Sequence, residues 1–283
     1  MYIGLFILLL VMSLAVHELG HGLAMLKYGV PIQSAGIGFR IPGLSWLCLR
    51  WRWREIDICI APIMLGAYVE ATTKGEAMLE NLELRQRLTV YGAGIIGNIF
   101  FAGALLVLLA FGTVVLNHNI MGPLICVGTS LIICALVWFG RNIFNKYVIP
   151  IMGMLLFAVV ISGFFQEPEV ITREVVNEYG ETVLITERAA PNISGSIGIV
   201  SMAAHDVDSP ALLLLFAAFI SISIGLFNML PVFPLDGGRT ALALLQQKIK
   251  TQWILNTFMF SGVAMIWSLF IYVMISDYIN YIK

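Results

Sequence analysis

Long apolar runs are the dominant pattern along the 283 residues of the chain. A helix that crosses the hydrocarbon core of a bilayer, about 30 Å thick, needs about 20 mostly apolar residues. Six stretches meet this requirement with few charges, at about residues 2–26, 88–116, 120–139, 147–165, 210–231 and 253–277. The pattern predicts an all-α polytopic membrane protein with about six transmembrane helices.

Two hydrophilic stretches separate these runs. In the first, at about 28–87, apolar and polar residues alternate over 49–54 and 56–60, which predicts amphipathic strands in a small membrane-associated β element. In the second, at about 166–209, Val170–Val176 and residues 182–187 flank a turn sequence, which predicts a short extracytoplasmic β-hairpin.

These elements divide the chain into four predicted segments. The first, 1–116, holds two membrane helices and the β segment between them. Residues 117–165 form two further membrane helices, and 166–209 form the outer hairpin segment. The last segment, 210–283, holds the final two membrane helices.

Lysine and arginine positions predict the orientation of the chain, because positively charged loops tend to stay in the cytoplasm. With the N-terminus outside, thirteen of the sixteen basic residues fall on the inner side and three on the outer side. Both termini are therefore predicted to be extracytoplasmic in a multi-pass protein of the plasma membrane. The apolar N-terminus has no basic segment before it, so we expect it to be kept as the first membrane helix and not removed as a signal peptide.

The composition agrees with a membrane protein and excludes some classes of partner. Hydrophobic residues make up 59% of the chain and charged residues only 12%, about half the charged fraction of a typical soluble domain. The formal net charge of −1 provides no basic excess to neutralise phosphates, which argues against a nucleic-acid partner. The four cysteines have no paired metal-binding spacing and are too few for a disulfide scaffold.

One cluster of ionisable residues lies inside the first apolar run. His17 and His21 are four residues apart, so on a helix they share a face and can reach one metal ion, with Glu18 beside them. The cluster is expected about 22 to 30 Å from the outer end of the helix, where ionisable groups are costly and usually functional. The alternative is a helix end that emerges into the cytoplasm with these side chains simply solvated.

A carboxylate near the other end of the chain is a candidate third ligand, since a catalytic zinc ion usually has three protein ligands. The stretch 228–239 interrupts an apolar run with two prolines and two glycines around Asp236. Prolines end helices and glycines allow close backbone approach, so Asp236 can be presented from irregular backbone inside the protein. It falls on the same predicted inner side as His17 and His21. A helix-capping role for Asp236 is the alternative.

Three motifs in these stretches resemble those of the site-2 protease family of intramembrane zinc metalloproteases. The sequence HELGH at 17–21 and the stretch 228–238, of the form N-x-x-P-x-x-P-L-D-G, match two family motifs. Residues 94–98 resemble the family's G-x-x-x-N motif. The three motifs lie on the first, second and fifth predicted spans, which are the core helices expected of the family.

The resemblance implies roles for particular residues. A zinc cofactor is expected, with His17, His21 and Asp236 as its ligands and Glu18 as the catalytic base. Two asparagines are expected to hold the backbone of the substrate, and these are Asn98 and Asn228.

The chain departs from the family pattern between the second and fifth spans. A PDZ module commonly lies there, whereas this chain has two additional predicted spans and the outer hairpin. The β segment between the first and second spans, in contrast, resembles the membrane-associated β element of bacterial members, with Gly66, Ala67 and Tyr68 where those members often have Gly-Gly-Tyr. The resemblance therefore implies a variant without a clear PDZ domain.

The implied function is hydrolysis of peptide bonds within or near transmembrane segments of single-pass membrane proteins, in regulated intramembrane proteolysis or signal-peptide clearance. A substrate helix must unwind before it is cut, and a strand from the 46–62 region could pair with it. The alternative is that Trp46, Trp51 and Trp53 only anchor the protein at the bilayer surface. A membrane ion or metal transporter and a non-catalytic membrane scaffold are the competing functions, although no internal repeat typical of transporters is found.

Overall fold

The computed structural model describes residues 2–39, 48–61, 63–117, 127–128, 131–135, 140, 144–164, 170–176, 182–188 and 209–278. Its helices are α1 (Ile3–Lys27), α2 (Thr73–Asn81), α3 (Leu84–Asn117), α4 (Ile149–Phe164), α5 (Pro210–Asn228), α6 (Asp236–Lys248) and α7 (Gln252–Asp277). Its strands are β1 (Ile32–Phe39), β2 (Leu49–Trp53), β3 (Ile56–Ile60), β4 (Ile63–Ala71), β5 (Val170–Val176) and β6 (Thr182–Arg188). A π-helical turn, Phe144–Val148, leads directly into α4.

Four helices of the described chain are long and apolar enough to cross a membrane, which makes the chain a multi-pass membrane protein. They are Ile3–Lys27, Leu84–Gly112, Pro210–Asn228 and Gln252–Ser276, and they match the first, second, fifth and sixth predicted spans. The fourth predicted span falls on α4, whose apolar part is shorter. Of the third, 120–139, only residues 127–128 and 131–135 are described. The count of six spans and the four-segment division stay predictions.

Helices α1, α3 and α5 pack together and form the central bundle. Their shared core contains Phe6, Ala102, Leu105, Leu213 and Ala217, all almost completely buried. Many large apolar side chains of the same helices point outward instead, as expected where lipid and not water surrounds the protein. The helix faces that meet one another thus combine large residues with alanines, and small residues are common where membrane helices pack closely.

Glycines allow α1 and α3 to approach each other very closely near the C-terminal end of α1. A side chain at Gly20 would collide with the carbonyl oxygen of Ala93. A Cβ atom at Gly97 would lie 2.8 Å from the carbonyl oxygen of Val16. The two backbones are therefore in direct contact beside the histidines of α1.

Four strands form a sheet between α1 and α2, in the order β2-β3-β1-β4. Strand β1 pairs in parallel with β3 and antiparallel with β4, whereas β2 and β3 form an antiparallel pair. The register of β2 and β3 places the pairs Leu49–Ile60, Trp51–Ile58 and Trp53–Ile56 opposite one another, on one apolar face. The strands predicted from alternation over 49–54 and 56–60 are confirmed.

Strand β4 is the edge of this sheet that packs against α1. Strand β2 forms the opposite edge, and every residue of it is exposed. The strand beside α1 is thus 63–71, which is not part of the 46–62 region proposed from the sequence for substrate pairing.

Strands β5 and β6 pair antiparallel along their whole length, from Val170–Arg188 to Val176–Thr182. Their bounds agree with the strands predicted for the outer segment to within one residue. The predicted turn residues, 177–180, lie outside the described residues. The position of this pair outside the membrane stays a prediction.

An irregular segment between α5 and α6 presents the start of α6 to the bundle. Helix α5 begins where the Ser209 hydroxyl accepts a hydrogen bond from the Leu212 amide, and it ends at Asn228. Side chains at Gly237 and Gly238 would collide with the backbone of residues 229–233, so only glycine fits there. Helix α4 contacts the same segment, since a side chain at Gly153 would collide with the Met229 carbonyl.

Candidate metal centre

Helix α1 brings the two histidines of the HELGH sequence to one face. His17 and His21 are one helical turn apart, and their ring centroids are 4.9 Å apart. Only 6% and 8% of the two residues is exposed. Burial of two imidazoles in a membrane helix is costly unless they have polar partners, and the partner comes from α6.

Asp236, the first residue of α6, places its carboxylate between the two rings. Its Oδ2 atom lies 3.0 Å from Nε2 of His17 and 3.1 Å from Nε2 of His21. The two Nε2 atoms are 3.2 Å apart. The three atoms therefore form a nearly equilateral triangle of one oxygen and two nitrogens, and all three residues are buried.

This triangle fits the coordination of zinc. Tetrahedral zinc, with bonds of about 2.0 to 2.2 Å to nitrogen and oxygen, spaces its ligand atoms about 3.3 to 3.5 Å apart. The observed separations of 3.0 to 3.2 Å are within a few tenths of an ångström of that spacing. Two imidazoles and one carboxylate are also a known donor set of catalytic zinc, which leaves a fourth position open.

A backbone hydrogen bond orients the ring of His21. Its Nδ1 atom lies 2.8 Å from the carbonyl oxygen of Val90 on α3. A carbonyl oxygen only accepts, so Nδ1 carries the proton and, in the neutral ring, Nε2 keeps its lone pair for a metal. Metal-binding histidines commonly have such an outer partner, which fixes the tautomer and the ring orientation.

Gly94 on α3 leaves open the space toward which both histidine Nε2 atoms point. A Cβ atom at this position would lie 2.6 Å from Nε2 of His17 and even closer to Nε2 of His21. No other residue type fits beside the donor atoms in this arrangement. Because glycine has no side chain, the space beside the two Nε2 atoms stays open and can accommodate an ion.

Asp236 is held as a carboxylate by its neighbours. Burial disfavours its charged form, but the rings of His21 and His17 outweigh that effect and hold the pKa of Asp236 below its ordinary value. Gly237 and Gly238 allow the first turn of α6 to pack directly on the preceding segment, which fixes the position of the carboxylate.

Glu18 is anchored to the sheet. One of its carboxylate oxygens, Oε2, accepts a hydrogen bond of 3.1 Å from the backbone amide of Val69 on β4. Tyr68 and Val69 line the same cavity as Glu18 and the two histidines. The helix therefore contributes the charged groups of the site, and the edge strand contributes backbone.

A cavity of about 260 Å³ joins these groups. Its polar lining includes the triangle of donors, Glu18, Tyr68, Tyr91, Asn228 and Arg239. Asn228 thus lies at the site, with its Nδ2 donating to the Ile224 carbonyl. A cavity with these groups can hold a metal ion, a water molecule and a short length of peptide.

Asn98 is not at the cavity. It is 0% exposed, and neither atom of its side-chain amide has a hydrogen-bond partner among the described residues. It lies between α3 and α5, where Ser221 donates a hydrogen bond to its backbone carbonyl. A Cβ atom at Gly225 would lie 3.4 Å from the Cβ of Asn98, so the two helices are closely packed at this point.

The sequence-based reasoning missed several groups that form the site. The Val90 carbonyl and the Val69 amide are backbone atoms, which have no signature in the sequence. Gly94 was singled out only as part of a motif, and its proximity to the histidines is a tertiary contact. Tyr91 and Arg239 had one signal in the sequence. Each lies three residues from a position singled out there, Gly94 and Asp236 respectively.

Comparison with known proteins connects this geometry to a family. The family model described as Peptidase family M50 matches residues 5–269. A Synechocystis protein named "Putative zinc metalloprotease" is 32% identical over 107 residues, which cover 35% of this chain and 28% of that protein. Two Helicobacter pylori proteins with the same name, from strains J99 and 26695, are 40% and 39% identical over 57 residues.

The matched segments are a small part of these relatives. The two Helicobacter pylori matches cover 20% of this chain and 16% of each relative. The family model, in contrast, covers most of the chain, including α1, α3 and the segment that carries Asp236. The chain therefore belongs to Peptidase family M50.

Proposed function

We propose that the protein is an intramembrane zinc metalloprotease that hydrolyses peptide bonds within or near the transmembrane segments of single-pass membrane proteins. The observation that carries this proposal is the buried triangle of His17, His21 and Asp236 with Glu18 in the same cavity. Four apolar helices place such a site in a membrane protein. Membership of a peptidase family supports the reaction class.

In this proposal His17, His21 and Asp236 would hold a zinc ion. When bound, the ion would supply a Lewis acid that lowers the pKa of a water molecule to about 7 and polarises the scissile carbonyl. Glu18 takes a proton from the attacking water and passes it to the amine that leaves when the carbon–nitrogen bond breaks. The Val90 carbonyl keeps the His21 ring in the tautomer that leaves Nε2 free.

The edge strand β4 is the proposed binding place for the substrate backbone. A substrate helix must give up internal hydrogen bonds near the cut, which is costly in lipid unless other groups replace them. Strand β4 lines the site cavity and has one edge without a partner strand in the described sheet. An unwound substrate segment can add to that edge as a further strand.

Two asparagines differ in how they fit this role. Asn228 lines the cavity and is proposed to bind the substrate backbone with its side-chain amide. Asn98 is fully buried between α3 and α5, so it reaches a substrate only if these helices separate. We propose that role for Asn98 only for an opened state of the bundle.

The proposed orientation follows from the distribution of basic residues. Both termini are extracytoplasmic, and the metal centre faces the cytoplasmic side of the plasma membrane. The partners are membrane proteins with a transmembrane segment, in the surrounding lipid bilayer. Regulated intramembrane proteolysis and signal-peptide clearance are the two processes that fit such an activity.

Replacement of Glu18 by glutamine tests the function. The wild type and Glu18→Gln are purified and reconstituted with zinc, and a single-pass membrane substrate is followed by mass spectrometry of its fragments. We expect cleavage within the membrane span by the wild type, its loss in Glu18→Gln, and equal zinc content in both proteins. Transport or binding in both proteins, with cleavage in neither, would contradict a protease and favour a transporter or scaffold.

A further inference from the structure

The carboxylate proposed as the catalytic base has a backbone partner in the substrate-free protein. Glu18 Oε2 accepts the Val69 amide at 3.1 Å. Val69 belongs to β4, the edge strand of the sheet. Glu18 and Val69 both line the site cavity, so this hydrogen bond lies at the site itself.

The Val69 amide is also a hydrogen-bond donor that a strand added to the edge of β4 would use. A strand that joins a sheet edge pairs its carbonyl oxygens with the free amides of that edge. At Val69 that position is filled by the carboxylate of Glu18. This hydrogen bond also holds the Glu18 carboxylate against β4 and so restrains its position.

We propose that the Val69 amide restrains Glu18 in the resting protein, and that a substrate strand on β4 accepts this amide and releases Glu18 to act as the base. This inference rests on the proposed function. It makes Val69 a positioning residue, because its backbone acts through Glu18. Binding of an unwound segment and activation of the base become one event.

The mechanism gives selectivity without any contact to a particular side chain. A peptide segment that stays helical satisfies its own carbonyls and has none to offer to β4. Such a segment does not displace Glu18 from its hydrogen bond with the Val69 amide, so it is not cut. Intact transmembrane helices that diffuse past the site are therefore spared, and locally unwound ones are cleaved.

Hydrogen exchange at single-residue resolution tests the restraint directly, on the full chain in lipid nanodiscs. The Val69 amide should exchange about tenfold faster in Glu18→Ala than in the wild type, because its acceptor is gone. In the matched control Glu18→Gln an amide oxygen can still accept, so exchange should stay near the wild-type rate. Equal exchange in the wild type and Glu18→Ala would overturn the proposal. This measurement does not depend on proteolytic activity, so it can fail or succeed separately from the proposed function.

Removal of the amide tests the release step. Val69→Pro has no backbone N–H, a change that an edge strand tolerates, and Val69→Ala loses side-chain atoms but keeps the N–H. The probes are a tripeptide, too short to add as a strand, and a ten-residue peptide of alternating valine and threonine. Val69→Pro should cleave the tripeptide about tenfold faster than Val69→Ala and should show a higher KM for the long peptide. No gain on the tripeptide, at equal zinc content, would overturn the release step.

Discussion

Substitution of Gly94 by alanine is the sharpest test of the metal centre, because it adds a single methyl group where the structure leaves room for the ion. The new Cβ would lie 2.6 Å from Nε2 of His17. Non-bonded carbon atoms prefer separations of about 3.5 Å or more, and carbon and nitrogen are similar in size, so the overlap is about 0.9 Å. Metal–ligand distances tolerate deviations of only about 0.2 Å. The histidine must move several times farther than zinc binding allows.

We therefore expect Gly94→Ala to reduce zinc affinity at least 100-fold, about the upper limit for loss of an outer-shell partner. The assay is the zinc content of the purified protein by mass spectrometry, followed by competition with a chelator of known affinity. Proteolysis should fall in proportion to the zinc content.

Gly112→Ala is the matched control, because it makes the same change in the same helix at a position with no atom within 4 Å of the new Cβ. Alanine is favoured over glycine in a helix by about 0.8 to 1.0 kcal/mol, so this control should fold at least as stably as the wild type. A Gly94→Ala protein that binds one zinc ion with wild-type affinity would refute the assignment of the three donors as a metal site.

Three further perturbations test the surroundings of the site. Asp236→Asn keeps the side-chain volume but removes the charge, and zinc retained after gel filtration should fall at least about tenfold; full retention would exclude Asp236 as a ligand. Gly153→Ala should press α4 against the Met229 carbonyl and lower the free energy of unfolding, measured by thermal unfolding, by about 1 to 3 kcal/mol. Gly4→Ala, whose new Cβ would have no atom within 4 Å, should not lower it. Treatment with 1,10-phenanthroline should abolish cleavage and lower the unfolding temperature, and added zinc should restore both; cleavage that persists in the chelator would contradict a metal-dependent reaction.

Local patterns predicted much of this architecture. The apolar runs identified four helices that can cross a membrane, since hydrocarbon thickness fixes their length. Alternation identified β2 and β3, because successive side chains of a strand point to opposite faces. His17 and His21 could be paired from the sequence alone, because helical spacing places residues four apart on one face.

Contacts between distant parts of the chain were harder to predict. Alternation shows that a segment forms a strand but does not choose its neighbour, so the position of β4 beside α1 and the parallel pairing of β1 with β3 were missed. The 46–62 region was proposed for substrate pairing from the sequence, and it contains β2 and β3 but not β4.

Asn98 shows what a motif resemblance leaves open. The resemblance of residues 94–98 to the G-x-x-x-N motif implied that Asn98 holds the substrate backbone, but the sequence does not say which neighbour the helix face meets. In the structure that face packs against α5 at Gly225, and the amide is buried there. Asp236 lies beside His17 and His21, as expected from the prolines and glycines that interrupt the apolar run around it. The roles of both residues stay predictions.

The glycine-lined contact between α1 and α3 bears on the order in which the protein matures. Apolar residues give two helices little reason to associate in lipid, whereas close backbone approach does provide attraction, and Gly20 and Gly97 allow it here. This contact is made by the chain alone, so the two helices can pair during membrane insertion with no metal present. We therefore expect the α1–α3 contact, which brings Gly94 beside His17 and His21, to form before a zinc ion binds.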